Sequence, residues 1–421
     1  MYGLVDCNNF YASCERAFQP KLREIPIVVL SNNDGCVIAR SDEAKSLGIK
    51  MGAPAFLMEE LIKKNRIEVF SSNYTLYNDM SWRVMDSLSE LCPITEVYSI
   101  DEAFLGLHEL KSWDLEKYAV DVRRKVIQWS KIPVSIGIAP SKTLAKIANK
   151  LAKKNKNGSG LYLIDTEDKR KEALSIFPIE DVWGIGRQHA KRLMDLGVKS
   201  ALDFTTIPED WVNKNMSVVG WRMIKELKGI STIGMNPPRD VKKGISTTRS
   251  FGSMLSDLPT MAEAVATHAH RCAEKLREQK SCAGILTVFV HTNQFREDLP
   301  QYARSYVYKL PVPTNHSGEL IAESLKGLEK IFKQGFQYKK AGVICTGLVP
   351  ETEVQTNMFD TADREKQMKA NKVMDSLNAI LGKDTVRLAA QGFNKTWKIK
   401  QEKLSPCYTT NSNDVPIALC H

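Results

Sequence analysis

Tyr98-Ser99-Ile100-Asp101-Glu102-Ala103 is the stretch on which the reading of this chain turns. Apolar residues alternate on both sides of it, with Val97 and Ile100 before and Phe104, Leu105 and Leu107 after. That spacing predicts two short antiparallel strands with the carboxylates at or beside their turn. Adjacent acids repel each other, and no turn requires both. A divalent cation between them and a polyanionic substrate accounts for the pair, because Mg²⁺ takes hard oxygen ligands. A third acid fits the same picture. Tyr2-Gly3-Leu4-Val5 reads as an apolar strand with Asp6 at its end, ahead of a helix predicted over 9–18. Carboxylates on neighbouring strand ends can hold two metals for in-line phosphoryl displacement. An isolated Asp-Glu pair is usually only solvated, so the surrounding residues decide.

Those surroundings are specific. Asp6-Cys7-Asn8-Asn9-Phe10-Tyr11-Ala12-Ser13-Cys14-Glu15, together with Ser99-Ile100-Asp101-Glu102-Ala103, resembles the two catalytic motifs of the Y-family, or translesion, DNA polymerases. The resemblance implies an α+β, multidomain right-hand polymerase with a ferredoxin-like palm, small fingers, a helical thumb with a helix-hairpin-helix, and a βαββαβ little finger. It implies that Asp6 and Asp101 bridge two Mg²⁺ ions, that Glu102 binds the catalytic one, and that the main-chain carbonyl of Cys7 is a further ligand. Tyr11 falls at the steric gate, where an aromatic ring under the sugar excludes a 2′-hydroxyl and selects dNTP substrates; Phe10 precedes it. Cys36 and Ile38 would roof the nascent base pair, and Lys45 and Lys153 would meet the triphosphate. Family members often carry Tyr three residues before that first lysine; here the position is Asp42, which receives no role.

Composition sets the frame. A chain of 421 residues suggests about three domains, and a 43% hydrophobic content is ample for buried cores. No apolar run reaches membrane-spanning length, and the first residues enter a strand without a secretion signal, so no membrane partner is expected. Nine cysteines are scattered without a C-x-x-C pair, which suits reduced thiols and a cytoplasmic location. The net charge is +10, and residues 239–349 carry 16 Lys and Arg against 10 Asp and Glu. More than half the excess lies in about a quarter of the chain, as a phosphate-facing surface requires.

Along the chain, residues 1–165 alternate strands and helices. Strands are expected at 26–30 and 36–39 around a turn at 31–35, and helices at 41–47, 77–91 and 114–130, with a strand at 134–138. No G-x-G-x-x-G or P-loop opens a helix, so the unit is α+β rather than a dinucleotide-binding fold. In the helix expected over 141–154, Leu144, Ile147, Ala148 and Leu151 form a buried stripe, and Lys142, Lys146, Lys150 and Lys153 or Lys154 a basic line on another face. Residues 166–238 are assigned to the thumb. There Gly184 and Gly186 let backbone N–H groups approach a DNA phosphate, with Arg187, Lys191 and Arg192 beside them. After Pro237-Pro238, residues 239–349 run strand, helix, strand, strand, helix, strand, the order of a ferredoxin-like unit. Arg249 lies in a segment resembling the little finger's first DNA-contacting strand. His268, His270 and Cys272 lack the spacing of a zinc site, since His268 and His270 fall on different helix faces.

Residues 350–421 form the tail. Gln355, Met358 and Phe359 sit in a polar stretch and resemble the sliding-clamp-binding motif of bacterial polymerases. Residues 389–392 and 404–410, like 31–40 and 181–187, resemble the UmuC-type branch of the family. Cys407, Asn411 and residues 417–421 depart from that branch's tail. The reading is thus an error-prone translesion DNA polymerase subunit that adds dNMP to a primer 3′-hydroxyl on primer-template DNA. The resemblance also implies a cleaved UmuD-type dimer, a RecA filament and the sliding clamp as partners, within a bacterial SOS response. The alternative is a non-catalytic DNA-binding scaffold that recruits the clamp or RecA. Intact Asp6, Tyr11, Asp101 and Glu102 weigh against it, because a scaffold has no use for a sugar gate.

Overall fold

The computed structural model describes residues 1–109, 114–155, 158–235, 241–360, 362–393 and 395–417. The chain divides into two compact units, 1–238 with 402–421 and 239–401. The break at Pro237-Pro238 and the expected boundary after it lie outside the described residues.

The first unit begins with β1 (Tyr2–Cys7) and α1 (Phe10–Phe18). It continues through β2 (Ile27–Leu30), β3 (Val37–Arg40), α2 (Asp42–Ser46), α3 (Glu59–Lys64), β4 (Glu68–Ser71) and α4 (Tyr74–Leu91). Then come β5 (Thr95–Val97), β6 (Glu102–Gly106), α5 (Leu115–Ser130), β7 (Val134–Ala139), α6 (Lys142–Lys154) and β8 (Leu161–Leu163). Four helices complete the run: α7 (Glu167–Ser175), α8 (Arg187–Asp195), α9 (Ala201–Thr206) and α10 (Glu209–Leu227), the last interrupted at Ser217. The principal sheet has the order β5-β6-β1-β7-β8, antiparallel except at its β7–β8 edge. A small sheet, β3-β2-β4, carries its own core of Val28, Leu30, Val37 and Ile49. Its third strand, parallel to β2, was not anticipated. Helix α4 starts a turn before the expected position because Asn73 caps it, its side chain accepting from Leu76 N at 3.1 Å.

Strand periodicity sorts β1 onto two faces. Val5 and Cys7 enter a core with Leu76, Tyr77, Val84 and Val122 under α4 and α5. Leu4 turns the other way, with Phe104, to pack under Leu144, Ile147, Ala148 and Leu151 of α6. Asp6 is two residues after Leu4 and so shares its face. Helix α6 lies very close to β7. A Cβ on Gly137 would come within 2.1 Å of the Asn149 backbone nitrogen and 2.4 Å of the Ala145 oxygen. The Asn149 side chain then donates to the carbonyls of Leu4 at 3.1 Å and Ser135 at 2.7 Å. Buried Glu226 of α10 holds the other end, accepting from Thr143 N at 3.0 Å in the first turn of α6, where the helix dipole favours a carboxylate.

In the second unit, β9 (Ile245–Leu255), α11 (Leu258–Glu278), β10 (Ser281–Thr292), β11 (Ala303–Thr314), α12 (Ser317–Ile331) and β12 (Tyr338–Pro350) follow the anticipated order. The sheet runs β11-β10-β12-β9, antiparallel throughout, so β12 separates β9 from β10 and both β-α-β units are split. β11 outlasts the predicted strand, running through Pro311 and Pro313, which an edge strand tolerates. Helix α13 (Arg364–Leu381) follows, and Arg277 fixes it through Asp375 at 2.6 and 2.7 Å. His268 packs edge-on to Trp397, His270 meets Ser317 and Glu274, and Cys272 donates to the Val343 carbonyl, so the three face different partners.

The contact at Gly137 is open to test. Gly137→Ala should lower stability by about 3 kcal/mol, because backbone rather than a mobile side chain occupies the space. Thermal unfolding would show a drop of roughly 6–12 °C in the first unit's transition. An unchanged transition would mean that α6 is free to stand off from the sheet.

Candidate active site

The site forms where β1 ends and β6 begins. Asp6 pairs in register with Glu102, and Cys7 N donates to the Asp101 carbonyl at 2.8 Å. Asp101 occupies the turn after β5 as expected. Ser99 holds that turn: its hydroxyl accepts from the backbone N–H groups of Asp101 and Glu102 at 3.2 and 3.1 Å and donates to Asp101 Oδ1 at 2.6 Å. The three carboxylates therefore converge, and the Cys7 thiol points into the opposite core, where burial pushes its pKa up.

Each acid on the α6 face meets a lysine. Lys153 Nζ lies 2.5 Å from Asp6 Oδ1, and Lys146 Nζ lies 2.9 and 3.1 Å from the two oxygens of Glu102. Lys146 was not singled out from the sequence, although it stands seven residues before Lys153 and so on the same helix face. Its ammonium lies over the rings of Tyr98 and Trp183, 4.5 and 5.3 Å from their centroids. The basic line does not form one solvated face. Lys142 is buried against Glu96 at 2.7 Å, and Lys150 pairs with Asp181. Burial lifts Asp6 to a pKa of about 6; Lys153 opposes the shift, and the charges of Glu102 and Asp101 add to it. Among the described residues no group of three or more His, Cys, Asp or Glu is arranged as a metal-ion site, with Lys153 and Lys146 paired to Asp6 and Glu102. What the strand ends offer is a set of hard, anionic oxygens with backbone carbonyls beside them, a donor set suited to Mg²⁺.

A cleft of about 450 Å³ opens beside these acids, lined by Asp6, Asp101, Phe10, Tyr11, Ile38, Lys45 and Lys153 among others. Phe10 is also largely core. Cys36 is outside the cleft lining and bridges to Pro54 instead. The Tyr11 ring stacks on Tyr77 with centroids 4.4 Å apart and planes 15° from parallel. Lys45 donates to Asn9 and pairs with Asp42 at 2.9 Å, so the acid that had no role neutralises the lysine next to the cleft.

Farther along, Gly184 has φ +94° and Gly186 caps α8, with open space where its Cβ would be. The element before this hairpin is a single 3₁₀ turn, Ile179–Asp181, rather than a full helix. Arg187 and Lys191 are exposed on α8, and Arg249 is exposed on β9. Gln355, Met358 and Phe359 stand on an irregular segment, with Met358 91% and Phe359 81% exposed.

Residues 5–150 match the impB/mucB/samB family, residues 242–358 match the C-terminal domain of that family, and residues 369–418 match a domain of unknown function. The chain is 41% identical to Protein UmuC and 40% identical to Protein ImpB, both of Salmonella typhimurium, over 99% of each chain. It belongs to the impB/mucB/samB family. This UmuC-type chain is 29% identical to a DNA polymerase IV of Desulfatibacillum aliphaticivorans, over 92% of its own length and 95% of the relative's. In fold it is similar to a Y-family DNA polymerase chimera built on Dbh, with a TM-score of 0.65, 21% identity, and coverage of 83% of this chain and 99% of the other. The α+β polymerase fold and the Y-family assignment stand, and the UmuC-type chain is an error-prone, translesion DNA-directed DNA polymerase. The scaffold alternative is set aside. Relatives in the Y family use divalent metal ions and dNTPs and act on primer-template DNA. No helix among the described residues is long and apolar enough to cross a membrane.

The raised pKa of Asp6 predicts a pH-dependent metal affinity. A protonated carboxyl is a poor ligand, so Mn²⁺ binding to the chain should be about tenfold weaker at pH 5 than at pH 7. Lys153→Met removes the cation that favours the anion, and should move the transition to higher pH. Flat affinity across this interval, followed by Mn²⁺ titration, would contradict Asp6 as a ligand.

Proposed function

We propose that Asp6, Asp101, Glu102 and the Cys7 carbonyl hold two Mg²⁺ ions for transfer of dNMP to a primer 3′-hydroxyl opposite damaged template. The observation that carries the proposal is the meeting of Asp6, Asp101, Tyr11 and Lys153 around one cleft, with Glu102 paired in register to Asp6 on the adjacent strand. Bound Mg²⁺ would lower the pKa of the attacking hydroxyl and neutralise triphosphate charge. Lys153 and Lys45 would take the phosphate oxygens, Lys153 leaving Asp6 as the metal arrives. Tyr11, pressed against Tyr77, would leave no room for a 2′-hydroxyl, with Ile38 above the base and Phe10 in the pocket wall. Ser99 keeps the Asp101 carboxylate oriented while substrate enters.

In the same reading, residues 1–165 are palm and fingers, 166–238 thumb, 239–349 little finger, and 350–421 a tail. Gly184 and Gly186, with Arg187 and Lys191, would follow a DNA phosphate, and Arg249 a second stretch of backbone. Gln355, Met358 and Phe359 would dock in the sliding clamp; the exposure of two large apolar side chains on an irregular segment supports that role. The proposal extends to a cleaved UmuD-type dimer and a RecA filament as partners and to a cytoplasmic, nucleoid-associated site of action in the SOS response, a reading that family membership supports.

Single-nucleotide extension opposite an abasic site tests the centre. Asp101→Asn should reduce kcat by about 10³-fold or more, with primer-template affinity kept. Near-normal extension by this variant would end the metal-ligand assignment. For the clamp motif, Met358→Ala with Phe359→Ala should abolish clamp capture and leave extension on a short template intact.

A further inference from the structure

The described end of the chain returns to the first unit at Glu402 and lies against the two helices that carry the Tyr11 cleft. Lys403 exchanges two hydrogen bonds with Ser71, each 2.9 Å. The Asn73 side-chain amide donates to the Ser405 carbonyl at 2.9 Å, the Ser405 hydroxyl at 3.1 Å and the Pro406 carbonyl at 3.2 Å. Its oxygen meanwhile caps α4. Tyr408 stacks on Phe18 of α1, 4.9 Å between centroids. One short segment thus grips α1 and α4 at once.

At its centre is Glu15, one helical turn after Tyr11 and fully buried. Its Oε1 accepts from the Tyr77 hydroxyl at 2.6 Å and from the Ser405 hydroxyl at 2.9 Å. Its Oε2 has no hydrogen-bond partner among the described residues, and no ion pair to Glu15 is found among them. Burial pushes its pKa up to about 7. An unpaired buried carboxyl destabilises a core that an apolar side chain would fill more favourably. What it supplies in return is orientation, because it tethers the hydroxyl of the ring on which Tyr11 stacks.

We propose that residues 402–408 form a clasp that fixes the Tyr11 ring through Ser405, Glu15 and Tyr77, making these three positioning residues for sugar selection. The Tyr77 ring is the surface on which Tyr11 stacks, and its hydroxyl is tethered at Glu15. Ser405 donates to the same carboxylate oxygen that accepts from Tyr77. This gives the end of the region matched only to a domain of unknown function a task at the active cleft. It rests on the reading of Tyr11 as the gate.

The test is kcat/KM for dNTP and rNTP in single-nucleotide extension on undamaged primer-template by the full chain. Ser405→Ala and Tyr77→Phe should each lower the dNTP-to-rNTP ratio about tenfold, the scale of a lost hydrogen bond to a charged group. Glu15→Leu should lower it similarly, and Glu15→Gln, which keeps the acceptor, should hold it. The ratio does not depend on the active fraction, so loss of folded protein cannot imitate the result. If Tyr11→Ala relaxes the ratio but Ser405→Ala and Tyr77→Phe keep the wild-type value, the clasp is wrong. If Tyr11→Ala also leaves it unchanged, the gate reading itself has failed. Amide exchange reads the clasp without turnover: Tyr77→Phe should speed exchange in 10–18 and 402–408 together, and a change confined to α4 overturns the coupling.

Discussion

Gly137 has no side chain, and the backbone of α6 occupies the space where one would be. Everything chemical in the first unit depends on that close approach. With α6 seated on β7 and β1, Asn149 can satisfy two strand carbonyls, and Lys146 and Lys153 reach Glu102 and Asp6. A helix held a side chain's width farther out would leave both acids without those cations. Glu226 secures the same helix from its N-terminal end, so its position is determined at two points.

The electrostatics follow from that geometry. Burial makes the Asp6 carboxylate costly to ionise, the charges of Glu102 and Asp101 add to that cost, and its pKa rises to about 6. Lysines offset part of the repulsion and a divalent cation would offset more. The lysines pair with the acids through flexible side chains, so they can turn from carboxylate to phosphate without any movement of backbone. Asp42 beside Lys45 is the same device at the other wall of the cleft.

The tail shows a different use of buried polarity. Residues 364–401 are fastened within the second unit by Arg277–Asp375, Arg271–Asp384 and Arg364–Glu319, while residues 402–417 belong with the first. Gly392 lies so near Glu263 of α11 that a Cβ would fall 2.3 Å from its carboxyl carbon. Its φ of +65° also favours glycine. Such spots tie an otherwise irregular segment to particular helices.

How much was legible in advance depended on the range of the interaction. Alternation around Asp101 and Glu102, the α6 stripe, and the strand-helix order of 245–349 are local patterns, and they determined the elements and the carboxylate centre. Family resemblance added residue roles that no pattern contains. The helix start at Tyr74 lies ahead of the apolar periodicity that begins at Tyr77, because Asn73 caps the helix where that periodicity is still silent. The sequence by itself determined which residues could do chemistry, since side-chain type and period are local properties. Only the tertiary structure decided that Lys146 meets Glu102 and that Ser405 reaches Glu15 across 390 residues. Those pairings exist because packed helices and strands bring distant residues within 3 Å, a distance no reading along the chain contains.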